Sequence, residues 1–277
     1  MADLVERLVP DELWALFRRV VPPAEVIRPQ GGGRRRAGDR EALTAIIFVA
    51  TSGCTWRQLP PVFGPAWPTV YRGFAQWSRE RVWARLHRVI LDELGARSEL
   101  DWSRCAIDSV SLRAAKGGPL TGPNPTDRGK LGSKIHLICD RNGLPLSLGI
   151  SGANMHDSQG LEPLVRSIPP IRSRRGSRRL RPAKLHADKG YDYDHLRRWL
   201  RKRGIRHRIA RKGIESSKRL GRHRWVVERT VSWLAGCRRL HRRYEHKAEH
   251  FLAFVGIAAA LIGYRRLARL DAQGHSA

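Results

Sequence analysis

Three carboxylates sit where a folding chain can least accommodate charge. Asp108 lies in Cys-Ala-Ile-Asp-Ser-Val (105–110), Asp188 in Leu-His-Ala-Asp-Lys-Gly-Tyr-Asp (185–192), and Glu228 in Arg-Trp-Val-Val-Glu-Arg-Thr (224–230). A carboxylate in mid-strand or on the apolar flank of a helix costs folding free energy unless something neutralises it. Two bound divalent cations would do so, and phosphodiester chemistry uses such a pair to activate one oxygen and stabilise another.

The charge balance points to a polyanionic partner. Lys and Arg number 53 against 25 Asp and Glu, a net charge of +28. The excess is clustered: residues 165–225 hold 22 Lys and Arg against 4 Asp and Glu, so +18 falls in 61 residues. A GC-rich genome that favours arginine codons accounts for some of the total but not for the clustering. The basic run is interleaved with apolar strand-like and helix-like pieces, which predicts one wall of a folded basic cleft. Such a field holds nucleic acid with strong salt dependence.

Other features narrow the class. Cys54, Cys105, Cys139 and Cys237 are far apart, without the spacing of a zinc knuckle or a redox dithiol. Each is expected to be a small buried residue in a reducing cytosol. The amino terminus lacks a signal pattern. The longest apolar run, 251–264, is shorter than the roughly 20 residues a bilayer needs. It is therefore expected to be a buried helix, with no membrane partner, and the protein cytoplasmic and nucleoid-associated.

Residues 1–100 read as a small helical domain. A helix starts near Asp11, and Pro22-Pro23 ends it. The loop from Gln30 to Arg36 is basic and glycine-rich. A second helix opens at Asp39 and closes at Gly53. Pro68-Thr69-Val70-Tyr71-Arg72 begins another, and a longer one runs through Val82, Leu86, Ile90 and Leu94. This arrangement is similar to a helix-turn-helix DNA reader.

From Asp101 the pattern changes. Strands are predicted at 104–110, 134–140 and 144–151, with Asn142-Gly143 as a tight hairpin turn. A helix (157–167), a basic loop (169–181), a strand (183–187), a helix (192–203), a strand (206–210) and helices at 223–241 and 248–267 follow. The order predicts a mixed sheet with helices on its faces. It is the element order of a ribonuclease H-like α/β fold, and each acid falls where that fold brings acids together. The expected division is 1–100, a helical DNA-binding domain; 101–270, the catalytic domain; and 271–277, a tail.

Around the acids, Gly190 permits a tight turn after Asp188. Lys189 and Tyr191 are placed to touch a phosphate or stack on a base. Asp192 is the better cap for the following helix, which leaves Asp188 as the ligand. At helical spacing, Arg224, Glu228, Ala235 and Arg239 form one stripe beside the apolar Val227, Val231 and Leu234. Glu228 is thus expected at the edge of a buried face, its arginine neighbours aimed at phosphate. His136 is expected to be a core histidine and Asp157 a helix cap.

The motifs His-Ala-Asp-Lys-Gly-Tyr-Asp and Arg-Trp-Val-Val-Glu-Arg-Thr-Val-Ser-Trp-Leu-Ala-Gly-Cys-Arg-Arg-Leu, followed by Arg-Arg-Tyr-Glu, resemble those of DDE-type transposases of bacterial insertion sequences. Gly132–His136, Asn154–Ser158 and the amino-terminal Cys-Thr-Trp-Arg-Gln-Leu-Pro resemble the same family. The likeness covers roughly residues 40–268. It implies that Asp108, Asp188 and Glu228 are the catalytic, metal-binding triad, using Mg2+ with Mn2+ as a substitute. It also implies cleavage of element ends and joining to target DNA, with double-stranded terminal repeats and target as partners, no small-molecule substrate, and a homodimer to pair two ends. Some relatives carry a Tyr where Gly221 stands and a Lys where Ala235 stands. Arg224 matches, and Arg238 or Arg239 would take over the phosphate contact of that Lys. A nuclease of the same fold without strand transfer, or a DNA-binding protein derived from a transposase, are the rival readings.

Overall fold

The computed structural model describes residues 2–23, 37–213 and 217–274, with side chains undescribed at 2–3, 217–224 and 274. The basic Gln30–Arg36 loop lies outside the described residues, as does the Arg224 side chain.

The chain opens with α1 (Ala2–Leu8) and α2 (Asp11–Arg18). Asp11 and Glu12 occupy the first turn of α2, where the helix dipole favours anions, and Leu13 and Phe17 are buried. Next come α3 (Asp39–Ser52), α4 (Trp67–Arg79) and α5 (Val82–Ala96). Gly53 ends α3 in the left-handed region, and a Cβ there would meet the Arg238 Cβ at 2.9 Å. The helical amino-terminal region is present, with a long connection between its central helices. Residues 53–66, with two short 3-10 turns, separate α3 from α4, whereas a helix-turn-helix motif uses about three or four.

The sheet comprises β1 (Cys105–Arg113), β2 (Gly122–Pro123), β3 (Leu131–Asp140), β4 (Pro145–Gly152), β5 (Lys184–Ala187) and β6 (Arg206–Ile209). The two-residue β2, too short to read from sequence, pairs the start of β3. β4, β3 and β1 are antiparallel neighbours, whereas β1, β5 and β6 are parallel. The Asn142-Gly143 turn joins β3 to β4, and Gly143 adopts φ +89°. Buried Asp140 holds this turn: its carboxylate accepts the backbone N–H groups of Asn142 and Leu144 (2.9 and 2.8 Å) and of Asp101 (2.9 Å).

Helices cover both faces. α6 (Ser158–Arg166) packs on β3 and β4, and α7 (Asp194–Lys202) on β6. α8 (Ser217–Ala235) crosses the opposite face over β1, β3 and β5. It is shorter than its periodicity predicted: Ala235 ends it, Gly236 follows, and Arg238–Leu240 form a 3-10 turn. α9 (Ala248–Gly274) includes residues expected to form a tail. It is long and apolar enough to cross a membrane, yet 78% of its most apolar stretch is buried inside the protein. α9 lies along α5 and also meets α3, α4, α8 and β4. One hydrophobic core therefore runs from Val9 to Leu267.

Candidate active site

Asp108 and Asp188 are brought together by strand register. β1 and β5 run parallel, with Cys105 opposite Leu185 and Ala106 opposite His186. Two residues further along both chains, the same offset sets Asp108 level with Asp188, one strand spacing away, about 4.8 Å between backbones. Alternation places Asp108 on the face of Ala106, and Asp188 on that of His186. Ala106 pairs with Cys139, whose thiol touches Thr230 of α8. Both acids therefore lie on the face that α8 covers.

Backbone amides fix one oxygen of each acid. The Ser109 N–H donates to Asp108 Oδ1 at 2.8 Å, and the Gly190 N–H to Asp188 Oδ1 at 2.8 Å. Asp188 thereby caps the 3-10 turn Lys189–Tyr191. Asp192 does not cap α7; it accepts from the Arg197 guanidinium and the Lys212 N–H. These contacts hold its carboxyl below the usual range, Arg197 contributing most. Asp157 makes no capping bond either. It pairs with Lys134 (2.8 Å) and accepts from Ser109 Oγ (2.7 Å). Burial raises the Asp157 pKa, but Lys134 and Ser109 outweigh that and keep it low. The network ties β1 to β3 and α6 at the residue next to Asp108, a role that the spacing of these residues gave no means to find. His136 is a core histidine, its Nε2 2.7 Å from Ser151 Oγ.

Glu228 is on the helix laid over this face, but it is exposed. Val226, Val227, Thr230 and Leu234 are the buried residues, and Glu228 points about 140° round the helix from their centre. Thr230 anchors α8 by donating to the Gly143 carbonyl (2.8 Å), and Arg229 Nη2 donates to the Asn142 carbonyl (2.7 Å). Among the described residues no three His, Cys, Asp or Glu side chains stand close enough to hold a metal ion. The mid-strand Asp108 and the strand-end Asp188 suit a hard cation such as Mg2+ or Mn2+ by donor type, and Glu228 does not join them in a cluster of three.

The expected phosphate contacts divide. Lys189 directly follows Asp188 and is half-buried, and Arg238 is exposed. Arg239 and Tyr191 need correction. Because α8 stops at Ala235, Arg239 leaves the Glu228 stripe and is buried. Its Nη2 is 2.8 Å from Glu245, and its Nη1 donates to the Cys54 carbonyl at 2.9 Å. Tyr191 is buried in the core, so its ring is not open to a base.

Comparison with known proteins completes the picture. Residues 102–262 match the family "Transposase DDE domain", and residues 9–87 match "Putative transposase of IS4/5 family". The chain is 48% identical over 155 residues to "Putative transposase for insertion sequence element IS402" of Burkholderia cepacia, covering 56% of this chain and 74% of the relative. It is 37% identical over 123 residues to the "Insertion element IS402 uncharacterized 16.2 kDa protein" of the same organism, covering 44% of this chain and 84% of that protein. Its fold is similar to that in "Cryo-EM structure of piggyBac transposase synaptic complex with hairpin DNA (SNHP)", with TM-score 0.50 and 10% identity, over 94% of this chain and 73% of the other.

Since the Transposase DDE domain matches more than half of the chain, and three antiparallel strands are continued by two parallel ones, the chain belongs to the DDE transposases, on a ribonuclease H-like fold. It is a DNA transposase of insertion-sequence type, an enzyme of metal-dependent DNA cleavage and transfer.

Proposed function

We propose that Asp108, Asp188 and Glu228 are the residues that carry this activity, and that they hold Mg2+, with Mn2+ able to replace it. The observation that supports the reading is the parallel pairing of β1 with β5 at Ala106 and His186, whose offset carried two residues on sets Asp108 beside Asp188, on the face α8 covers. When bound, the cation supplies a Lewis acid and a water of lowered pKa. The chain supplies orientation: the Ser109 and Gly190 amides hold one oxygen of each aspartate. Glu228, exposed on the helix laid over the same face, is the third acid in this reading. Lys189, Arg224 and Arg238 grip phosphates along the cut strand.

The substrate in this reading is the pair of terminal inverted repeats, joined after cleavage to target DNA, so the working form is a homodimer at least. Residues 1–100 read the repeats and 101–270 carry the chemistry, at the nucleoid in the bacterial cytoplasm.

The test uses purified full-length protein, a duplex carrying an element end, and a target plasmid. Asp108→Asn, Asp188→Asn and Glu228→Gln are each expected to lower cutting and joining about 10²–10³-fold, on the scale of losing an essential electrostatic group. Duplex binding should stay within a few-fold. Calorimetric titration with Mn2+ should show binding to the wild type that Asp108→Asn loses. Cutting without any joined product would leave a nuclease, and undiminished cutting by the variants would overturn the assignment.

A further inference from the structure

Beside α8, away from the aspartates, lies a groove of about 740 Å³, within the size range of ligand clefts. Its lining contains six arginines and no carboxylate. Trp225, Arg229 and Trp233 follow one another at i, i+4 and i+8 along α8, so they share one helix stripe. The Arg229 guanidinium sits 4.4 Å from the centre of the Trp225 ring and 4.6 Å from that of Trp233. Its bond to the Asn142 carbonyl fixes it in place. The result is a rigid comb, indole–guanidinium–indole, whose two tryptophans remain 49% and 38% exposed. Arg104, Arg265 and Arg269 line the walls. Arg141 and Arg266 reach acids outside the lining, Asp101 at 3.4 Å and Glu99 at 2.6 Å.

Two features choose the occupant. An array of guanidinium groups suits phosphates, and a second copy of so basic a chain would be repelled by it. Exposed indole faces add nothing to a closed duplex, whose bases already stack on one another, but each can take an unpaired base. Arg104 immediately precedes β1 and Asp108 is four residues on, about 13 Å along the strand. At the 3.4 Å rise of stacked nucleotides that is at most about four of them.

We infer that this groove binds single-stranded DNA within about four nucleotides of the cut, its phosphates on the arginines and its bases on Trp225 and Trp233. The inference rests on the proposed function, since it places the strand relative to the acids assigned there.

The experiment compares a blunt duplex end with the same end carrying a four-nucleotide single-stranded extension. Fluorescence anisotropy with the full-length protein at fixed salt reads the affinities. Wild type is expected to bind the extended end at least tenfold more tightly. Trp225→Ala/Trp233→Ala should abolish that preference and leave blunt-end affinity and the thermal unfolding midpoint unchanged. If that variant does not fold, Arg265→Glu/Arg269→Glu, at exposed positions, should remove the preference instead. Equal affinity of wild type for both ends, or a preference that survives both variants, overturns the inference. So does a Trp variant that changes oligomeric mass but not DNA preference, which would make the groove a protein interface. Cutting by wild type that the acid variants abolish, without any extension preference, would sink the groove alone. Cutting that survives the acid variants would sink the assigned site whatever the groove binds.

Discussion

Arg239 shows how far one residue's surroundings decide its work. It was expected to meet phosphate, yet it lies in the core against Glu245, with the Tyr244 and Phe254 rings 5.0 and 5.5 Å from its guanidinium. Arg239→Ala would strand a buried carboxylate. It should therefore cost about 3–5 kcal/mol in chemical denaturation, whereas Arg238→Ala should leave stability within about 0.5 kcal/mol and weaken DNA binding. His87 offers a second test. Burial lowers its pKa to about 4 while its Nε2 bonds the Pro145 carbonyl at 3.0 Å. The unfolded chain takes up that proton near 6.5, so this contribution is intact above pH 6.5 and declines as pH falls toward 4. The loss should reach about 3 kcal/mol. His87→Gln keeps a donor but cannot titrate, so the wild-type loss relative to the variant over that window, read from urea midpoints, measures the effect. Neither outcome was visible in the sequence. Arg239 and Arg238 are chemically alike there, and only the end of α8 separates their fates.

At the scale of elements, the strands were more legible than the helices that cover them. The β1, β3, β4, β5 and β6 runs and the Asn142-Gly143 turn announced themselves by β-branched residues and turn chemistry. The register that levels Asp108 with Asp188 arises from pairing between strands 80 residues apart, which no local pattern carries. The Glu228 stripe followed from an assumed helix to His241. Gly236 ends that helix early, so Arg239 leaves the stripe while Glu228 stays on the helix, exposed. The basic loop at 169–181 reads as unstructured in sequence, yet Asp92 on α5 holds it, accepting from the Arg172 N–H (2.7 Å) and from Arg178 Nη1 (2.8 Å). Its close seat against α5 depends on Gly95, where a Cβ would stand 2.0 Å from the Arg172 carbonyl. Asp92→Ala should release the loop, seen as trypsin cleavage after Arg174 or Arg175 many times faster than in wild type. Unchanged cleavage rates would mean that the Ile171–Arg179 bridge suffices to hold it.

For the whole molecule, the net charge of +28 makes binding to any duplex steeply dependent on ionic strength. A footprint of about 6–10 phosphates predicts a loss of 10³–10⁵ in affinity between 50 and 200 mM salt. A salt-insensitive affinity would mean that the basic surface is not the contact. The change of local pattern near residue 100 marks a division along the chain, and the packing of α9 against both α5 and β4 spans it. A chain severed at that point would leave each piece with a raw apolar flank shaped for the other. Expressed separately, 1–100 and 101–277 should each be sticky and poorly folded, and mixed together they should reassemble into one particle that melts in a single step.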